Sequence, residues 1–190
     1  DPLNRNKTAL HKTPVYLEEV KTVGGGEETV EIALQWNDGY QEQIFCFTNT
    51  IKNRDGGTHL SAFREGLLRG INDYASRKFD GDDVREGVLG AVAIRLKEPI
   101  FESQTKTKLG STEMGDGLPT VRTYINDFIK TQLDNFLHKN PEIAKELEKR
   151  VKQSERERKE MAGIKKLANE GLEQVSAEKV EDFFRDGHEI

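Results

Sequence analysis

The hydrophobic positions change period several times along the chain, and each change marks an element. Val30, Ile32, Leu34 and Trp36 alternate with Glu31, Ala33 and Gln35, the period-two pattern of a strand with one buried face. Asn37-Asp38-Gly39 follows at once. Asp-Gly supplies the positive torsions of a tight hairpin, so YQEQIFCFT is expected to return as the paired strand. Beyond the polar loop NTIKNRDGGTH, residues Leu60, Phe63, Leu67, Ile71 and Tyr74 recur at helical spacing and place an apolar stripe on a helix of about four turns. Asp82 and Asp83 open a short helical turn, and VLGAVAIRL then runs apolar with small side chains, as expected of a strand buried on both sides.

Thr120 is placed to cap a second helix, whose Val121, Tyr124, Ile125, Phe128, Leu133, Phe136 and Leu137 make a broad face for covering a sheet. Asn140-Pro141-Glu142 restarts the chain as a new helix with a change of direction. That helix is densely charged through Lys166, with Glu146/Arg150, Glu148/Lys152 and Glu155/Lys159 in favourable order. Its thin seam of Ile143, Leu147, Val151, Met161 and Ile164 is interrupted at Ser154 and Arg158. The pattern predicts an arm that projects rather than packs, with a solvated coiled coil as the bland reading.

Composition narrows the chemistry. The 190 residues carry a formal net charge of −5, so nucleic acid could be gripped only by a local patch. Cys46 is the single cysteine, which excludes an internal disulfide and fits a reducing compartment such as the cytoplasm. The histidines are scattered without metal-ligand spacing, so no metal site is expected. No apolar run approaches membrane-spanning length, and the first residues lack the pattern of a signal peptide, so the start reads as a cut through a longer chain.

Two places stand out. ESQTKTKLG (Glu102–Gly110) gathers two lysines, hydroxyls and an amide just past a buried strand. By composition alone it is a solvated loop. Arg64 flanks the apolar stripe of the first helix, where a guanidinium must be held by a partner or aimed at something, whereas Arg69 projects from the opposite face as an ordinary solvated residue.

Taken in order, LNRNKT, EIALQWNDGYQEQIFCFTNTI, RDGGTHLSAFREGL, GDDVREG and SQTKTKL resemble the second, transducer domain of the ATPase subunit of bacterial type IIA topoisomerases. The likeness runs from Leu3 to about Ala168 and lies nearer the DNA gyrase B group than the topoisomerase IV B group. It implies an α/β (α+β) domain similar to domain 2 of a small ribosomal-subunit protein. This is a βαβ arrangement with a mixed sheet backed by helices on one face, followed by a long charged C-terminal helix. It also implies a left-handed crossover, against the right-handed default that holds in about 98% of such connections. The implied divisions are a transducer core over residues 1–139 and a connecting helix over 140–168. Residues 169–190 are unassigned, with a short acidic helix near Ser176 as one reading.

The resemblance further implies that Gln104 and Lys106 are catalytic, ATP-contacting residues that reach the terminal phosphate, with ATP bound mainly by a GHKL domain absent from this chain. Mg²⁺ belongs to the full enzyme, with no metal within these residues. Arg64 would face a cavity holding double-stranded DNA, or else pair with a carboxylate at the edge of its own helix. Implied partners are the GHKL and TOPRIM domains of the same polypeptide, gyrase A, DNA, and a second copy on ATP binding, with no membrane. Lacking both enzymatic centres, the chain alone should be inactive. The rival class is a non-catalytic nucleic-acid-binding module of the same general fold. The equivalent domain of MutL or a heat-shock chaperone shares the lysine logic but is not expected to carry QWNDGY and GGTHL together.

Overall fold

The computed structural model describes residues 4, 6–23 and 26–186. Five strands, β1 (Val15–Val23), β2 (Gly26–Trp36), β3 (Gln43–Thr48), β4 (Ile51–Lys52) and β5 (Val88–Arg95), form one mixed sheet in the order β1-β2-β5-β3-β4. Four helices accompany them: α1 (Thr58–Ala75), α2 (Gly81–Arg85), α3 (Val121–Lys139) and α4 (Pro141–Asp186). The expected mixed sheet backed by helices and the long C-terminal helix are both present.

The hairpin expected at Asn37-Asp38-Gly39 is not. β5 lies between β2 and β3, antiparallel to the first with Trp36 opposite Val88, and parallel to the second with Gln43 opposite Leu89. None of Asn37, Asp38 and Gly39 adopts the positive φ that a tight hairpin needs. Asn37 instead uses its side-chain oxygen to accept from Gly39 N (2.9 Å), while its own N–H donates to Gly87 O (2.8 Å). The turn therefore ends one pairing and opens a gap wide enough for β5. The tight turn lies at Asn49-Thr50, with φ of 48° and 71°, between the paired residues Thr48 and Ile51. β1, which the periodicity did not single out, pairs along the whole length of β2 from Val15↔Leu34 to Val23↔Gly26.

Alternate residues of the described parts of β1, β2 and β5 point at the helices. Val15, Leu17, Val30, Ile32, Leu34, Trp36, Val88, Val92 and Ile94 form the floor of the core there. The opposite face of β5 departs from the expectation of burial on both sides, since Ala91 and Ala93 are only half-buried. Small side chains suit β5 because it is central, flanked by strands on either hand.

α1 buries His59, Ala62, Phe63, Gly66, Leu67, Gly70 and Ile71, a wider stripe than the large residues alone indicate. A Cβ on Gly66 would lie 3.0 Å from Ile129 Cδ1 and one on Gly70 2.9 Å from Leu133 Cδ2, so this pair of glycines lets α3 lie close against α1. α3 begins where expected, with the Thr120 hydroxyl accepting from Thr123 N at 3.1 Å.

α4 behaves differently in its two halves. Its first turns pack on the body through Ala144, Leu147 and Val151, which are at most 3% exposed. The interruptions of its apolar seam turn out to be attachments. Ser154 is buried and donates to Arg150 O (3.1 Å), and Arg158 grips the buried Asp83 of α2 through three contacts of 3.0–3.1 Å. Arg150 donates to Gly39 O (2.7 Å), and Glu155 pairs with Arg77. Beyond Arg158 the helix is solvent-exposed as far as its side chains are described, and it continues without a break to Asp186, through the stretch that the motifs left unassigned. Leu147→Ala is therefore expected to lower unfolding stability by about 3 kcal/mol through a core cavity. Ile164→Ala, in the exposed half, should leave dilute protein within about 0.5 kcal/mol of wild type. Urea denaturation of both variants checks this contrast.

Candidate functional site

The loop after β5 is held by backbone pairing with the segment preceding α1. Asp55 N donates to Thr107 O (2.8 Å), Leu109 N to Gly56 O (3.0 Å) and Thr58 N to Leu109 O (3.1 Å). This pairing explains the second glycine of RDGGTH. Gly57 has φ 135°, and a Cβ there would lie 2.3 Å from Leu109 O. A side chain would push the two segments apart.

Asn53, only 2% exposed, ties this loop to the core. Its side-chain N–H donates to Lys106 O (2.8 Å), its side-chain oxygen accepts from Thr48 Oγ1 (2.7 Å), and its backbone N–H donates to Cys46 O (2.7 Å). Because the amide nitrogen is committed to Lys106, the oxygen faces His59 Nε2 at 3.1 Å, so that nitrogen carries the ring proton and donates. His59 is fully buried and its Nδ1 has no partner among the described residues. Burial therefore pushes its pKa down to about 4. One side chain thus joins the end of β3, the start of α1 and the turn at Gln104-Thr105-Lys106, the QTK turn.

Within that turn Lys106 takes φ 55°, a left-handed conformation that costs a non-glycine residue roughly 1–2 kcal/mol. The conformation is fixed by Lys106 N donating to Ser103 O (3.1 Å) and by the Asn53 bond to its carbonyl. The Lys106 ammonium sits 5.9 Å from the centre of the Phe101 ring, and no carboxylate pairs with it among the described residues. Lys108 differs, since its ammonium lies 3.0 Å from Glu102. Gln104 is exposed, and its amide has no hydrogen-bond partner among the described residues.

Arg64 lies on α1 with its side chain 45% exposed. It does not pair within its own helix. Its Nε donates to Glu42 (2.9 Å), a carboxylate it shares with Arg85 (2.8 Å), which in turn reaches Asp82 (3.0 Å). Arg69 is the solvated residue expected, 66% exposed beside Glu65. A cleft of about 920 Å³ opens between the first turns of α1 and α3 and the 102–112 loop, and both Arg64 and Lys108 line it, whereas Gln104 and Lys106 do not. Arg122 closes on Glu65 there at 2.7 and 2.8 Å and holds that carboxyl below its usual range. Among the described residues no group of histidine, cysteine or carboxylate side chains is arranged to hold a metal ion, and no helix is long and apolar enough to cross a membrane.

Sequence reasoning missed Asn53, His59, Asp83 and Arg158. His59 had a signal, since it stands four residues before Phe63 on the same helical face. Asn53 had none, because a loop asparagine carries no periodicity.

A five-stranded mixed sheet with two helices on one face, a loop carrying two lysines after its central strand and a long C-terminal helix make up the domain, and its fold and sequence match the ATPase subunits of type IIA topoisomerases. The 43K ATPase domain of Thermus thermophilus gyrase B, solved with an aminocoumarin, matches with a TM-score of 0.72 at 27% identity over 87% of this chain and 44% of that one. The sequence profile of the DNA gyrase B family matches residues 1–167, and the chain belongs to that family. It is 43% identical over 152 residues to the DNA gyrase B protein of Clostridium acetobutylicum, covering 75% of this chain and 22% of that protein. It is 37% identical over 149 residues to the DNA topoisomerase 4 B protein of Borreliella burgdorferi, covering 78% and 24%. The chain therefore spans between a fifth and a quarter of the length of these relatives.

Two measurements follow from the geometry. Gly57→Ala should lower stability by at least about 1 kcal/mol and speed hydrogen exchange at Thr58 and Leu109, while amides of β1 and β2 keep their rates. His59 binds its proton more weakly folded than unfolded, so stability is complete above its unfolded pKa of about 6.5 and falls as pH drops toward 4. The loss approaches roughly 3 kcal/mol. Urea midpoints measured across that window should flatten in His59→Gln; an unchanged slope assigns the acid sensitivity elsewhere.

Proposed function

We propose that the QTK turn is a phosphate sensor for ATP held mainly by a GHKL domain of the same polypeptide. The rest of the chain passes the position of that turn to the DNA-handling parts of a gyrase-like type IIA topoisomerase. The observation that carries this reading is the difference between the two lysines. Lys108 is neutralised by Glu102, while Lys106 presents an ammonium with no carboxylate partner among the described residues, on a backbone fixed at both its N–H and its carbonyl. A compact cation on a pre-set turn suits crowded anionic oxygens, and its fixed placement spares the cost of ordering the loop on contact. Gln104 adds a directed amide donor from the same turn. When bound, ATP supplies the γ-phosphate that these two side chains contact. Mg²⁺ belongs to the full enzyme and no residue here is assigned to it.

A pull on Lys106 is felt at Asn53, and through Asn53 at the first turn of α1 and the end of β3. α1 carries Arg64 and packs along α3, which leads directly into α4. The state of the phosphate contact thereby biases the orientation of the arm toward the TOPRIM domain. Arg64 is the proposed contact to a DNA duplex enclosed by two copies that dimerise on ATP binding. Its half-exposed guanidinium can address a backbone phosphate while Glu42 positions it. Gyrase A would supply the partner cleavage machinery, with negative supercoiling as the output. The second reading, a topoisomerase IV transducer, rests on the 37% identity to that protein of Borreliella burgdorferi, against 43% to the gyrase B protein of Clostridium acetobutylicum. It shares the phosphate contact and the path through Asn53 and differs only in the reaction that the whole enzyme carries out on DNA. The chain alone turns over neither ATP nor DNA.

In the full-length protein with its partner and DNA, Lys106→Ala should lower kcat for ATP by two or more orders of magnitude, about 3 kcal/mol or more. Lys108→Ala should change it by roughly threefold or less, as loss of an exposed ion pair would. Equal losses, or a silent Lys106→Ala, would return the loop to an ordinary solvated surface. Arg64→Gln should reduce stimulation of ATP turnover by DNA and weaken supercoiling while basal turnover holds. A parallel fall in basal and stimulated rates together with a lower Tm would make Arg64 a structural partner of Glu42 instead.

A further inference from the structure

The outer half of α4 carries an apolar face that nothing else in the described structure covers. Met161, Ile164, Leu167, Leu172 and Val175 are each at least 50% exposed, on a helix that is otherwise charged. They are not scattered. With Met161 at position a of a heptad, Ile164 falls at d, Ala168 at a, Gly171 at d and Val175 at a. The two remaining leucines fall on the flanks, Leu167 at g and Leu172 at e, five residues apart. The preceding flank positions are Glu160 at g and Lys165 at e, also five apart and of opposite charge.

We propose that this face is a parallel, two-stranded coiled-coil seam whose partner is the same segment of a second copy of the chain. In a parallel pair each g residue meets the e′ residue five positions further on in the partner. That rule sets Glu160 against Lys165 of the other copy, and Leu167 against Leu172, twice each by symmetry. Charge meets opposite charge and leucine meets leucine. The small Ala168 and Gly171 let the two axes approach between them, so the leucines close over the seam. An antiparallel pair matches e with e and g with g; the register that sets Leu167 against the partner's Leu167 leaves Glu160 facing Gln174, so the two Glu160–Lys165 pairs are lost. The flanks therefore specify the second copy and its direction together.

The seam is short. About two heptads cannot hold two chains together on their own at low concentration. It acts as a clasp that closes once another contact brings the copies together, because linking converts the second contact into an intramolecular event. The inference rests on the pattern of the seam and is independent of the phosphate contact proposed for Lys106.

Cysteine cross-linking of the 190-residue chain at sub-millimolar concentration tests it. The native Cys46 is 2% exposed and its thiol is pushed up to about 11 by burial, so it stays out of the reaction. Ala168→Cys, at a core position, should form disulfide-linked dimers at least roughly tenfold more readily than Gly163→Cys at the outward-facing position c, the margin about 1.4 kcal/mol of association gives. Lys165→Glu should abolish that preference, and Glu160→Lys combined with Lys165→Glu should restore it. Equal cross-linking at positions 163 and 168, or none at 168, would overturn the seam. Cross-links between Met161→Cys and Val175→Cys chains would overturn its direction. Both cysteine positions lie in the exposed part of α4, and a circular dichroism melt matching wild type confirms that the domain is intact in each variant.

Discussion

One buried amide holds the working parts of this domain together. Asn53 lies where the sheet ends and the helical layer begins, and its hydrogen bonds reach three separate elements: Thr48 and Cys46 of β3, His59 of α1, Lys106 of the QTK turn. Such a junction is costly if left incomplete, because a buried polar group without its partners loses its hydration and gains nothing in return. The QTK turn therefore cannot drift independently of α1 without breaking a bond in the interior. The left-handed conformation of Lys106 is tolerated for the same reason, since the turn is over-determined on both sides of the residue.

The second constraint is the place of β5. By entering between β2 and β3 it becomes the spine of the sheet, and the loop that follows it emerges beside the segment leading into α1. The pairing of Gly56, Gly57 and Thr58 with Leu109 is then a matter of adjacency. Charge is placed by adjacency as well, at the junction of α2 and α4. Asp83, buried in α2, would be an isolated carboxylate were it not for Arg158 of α4, and the pairing fixes where the docked part of the arm stops and the projecting part starts.

Much of this was readable in advance. The stripe of α1, the Thr120 cap, the restart at Pro141 and the apolar run of β5 follow from periodicity and capping chemistry, which are local. The pairing of the strands is not local, and the turn at Asn37-Asp38-Gly39 shows the consequence: hairpin chemistry was present in the letters, yet tertiary insertion of β5 decided the backbone. The interruptions of the α4 seam at Ser154 and Arg158 looked like weaknesses of a solvated arm because the carboxylate that Arg158 grips lies 75 residues away in the chain. The loop that bears Gln104 and Lys106 could be singled out by its motif, but the distinction between its two lysines needed coordinates, since only the folded chain brings Glu102 to Lys108 and leaves Lys106 with no carboxylate partner among the described residues. Arg64 was marked by its position beside an apolar stripe, and its partner Glu42 by nothing.

The central claim of the functional account is that the phosphate contact is coupled to α1 through Asn53, and hydrogen exchange in the full-length protein tests it most directly. Binding of a non-hydrolysable ATP analogue should slow exchange at Leu109 and also across the first turns of α1 in the wild type. In Asn53→Ala the slowing should persist at Leu109 and at Thr58, which is bonded to it, and vanish from the rest of the first turns of α1. An α1 response of equal size in both proteins would contradict the account, because the signal would then be reaching the helix by a route that does not pass through this junction.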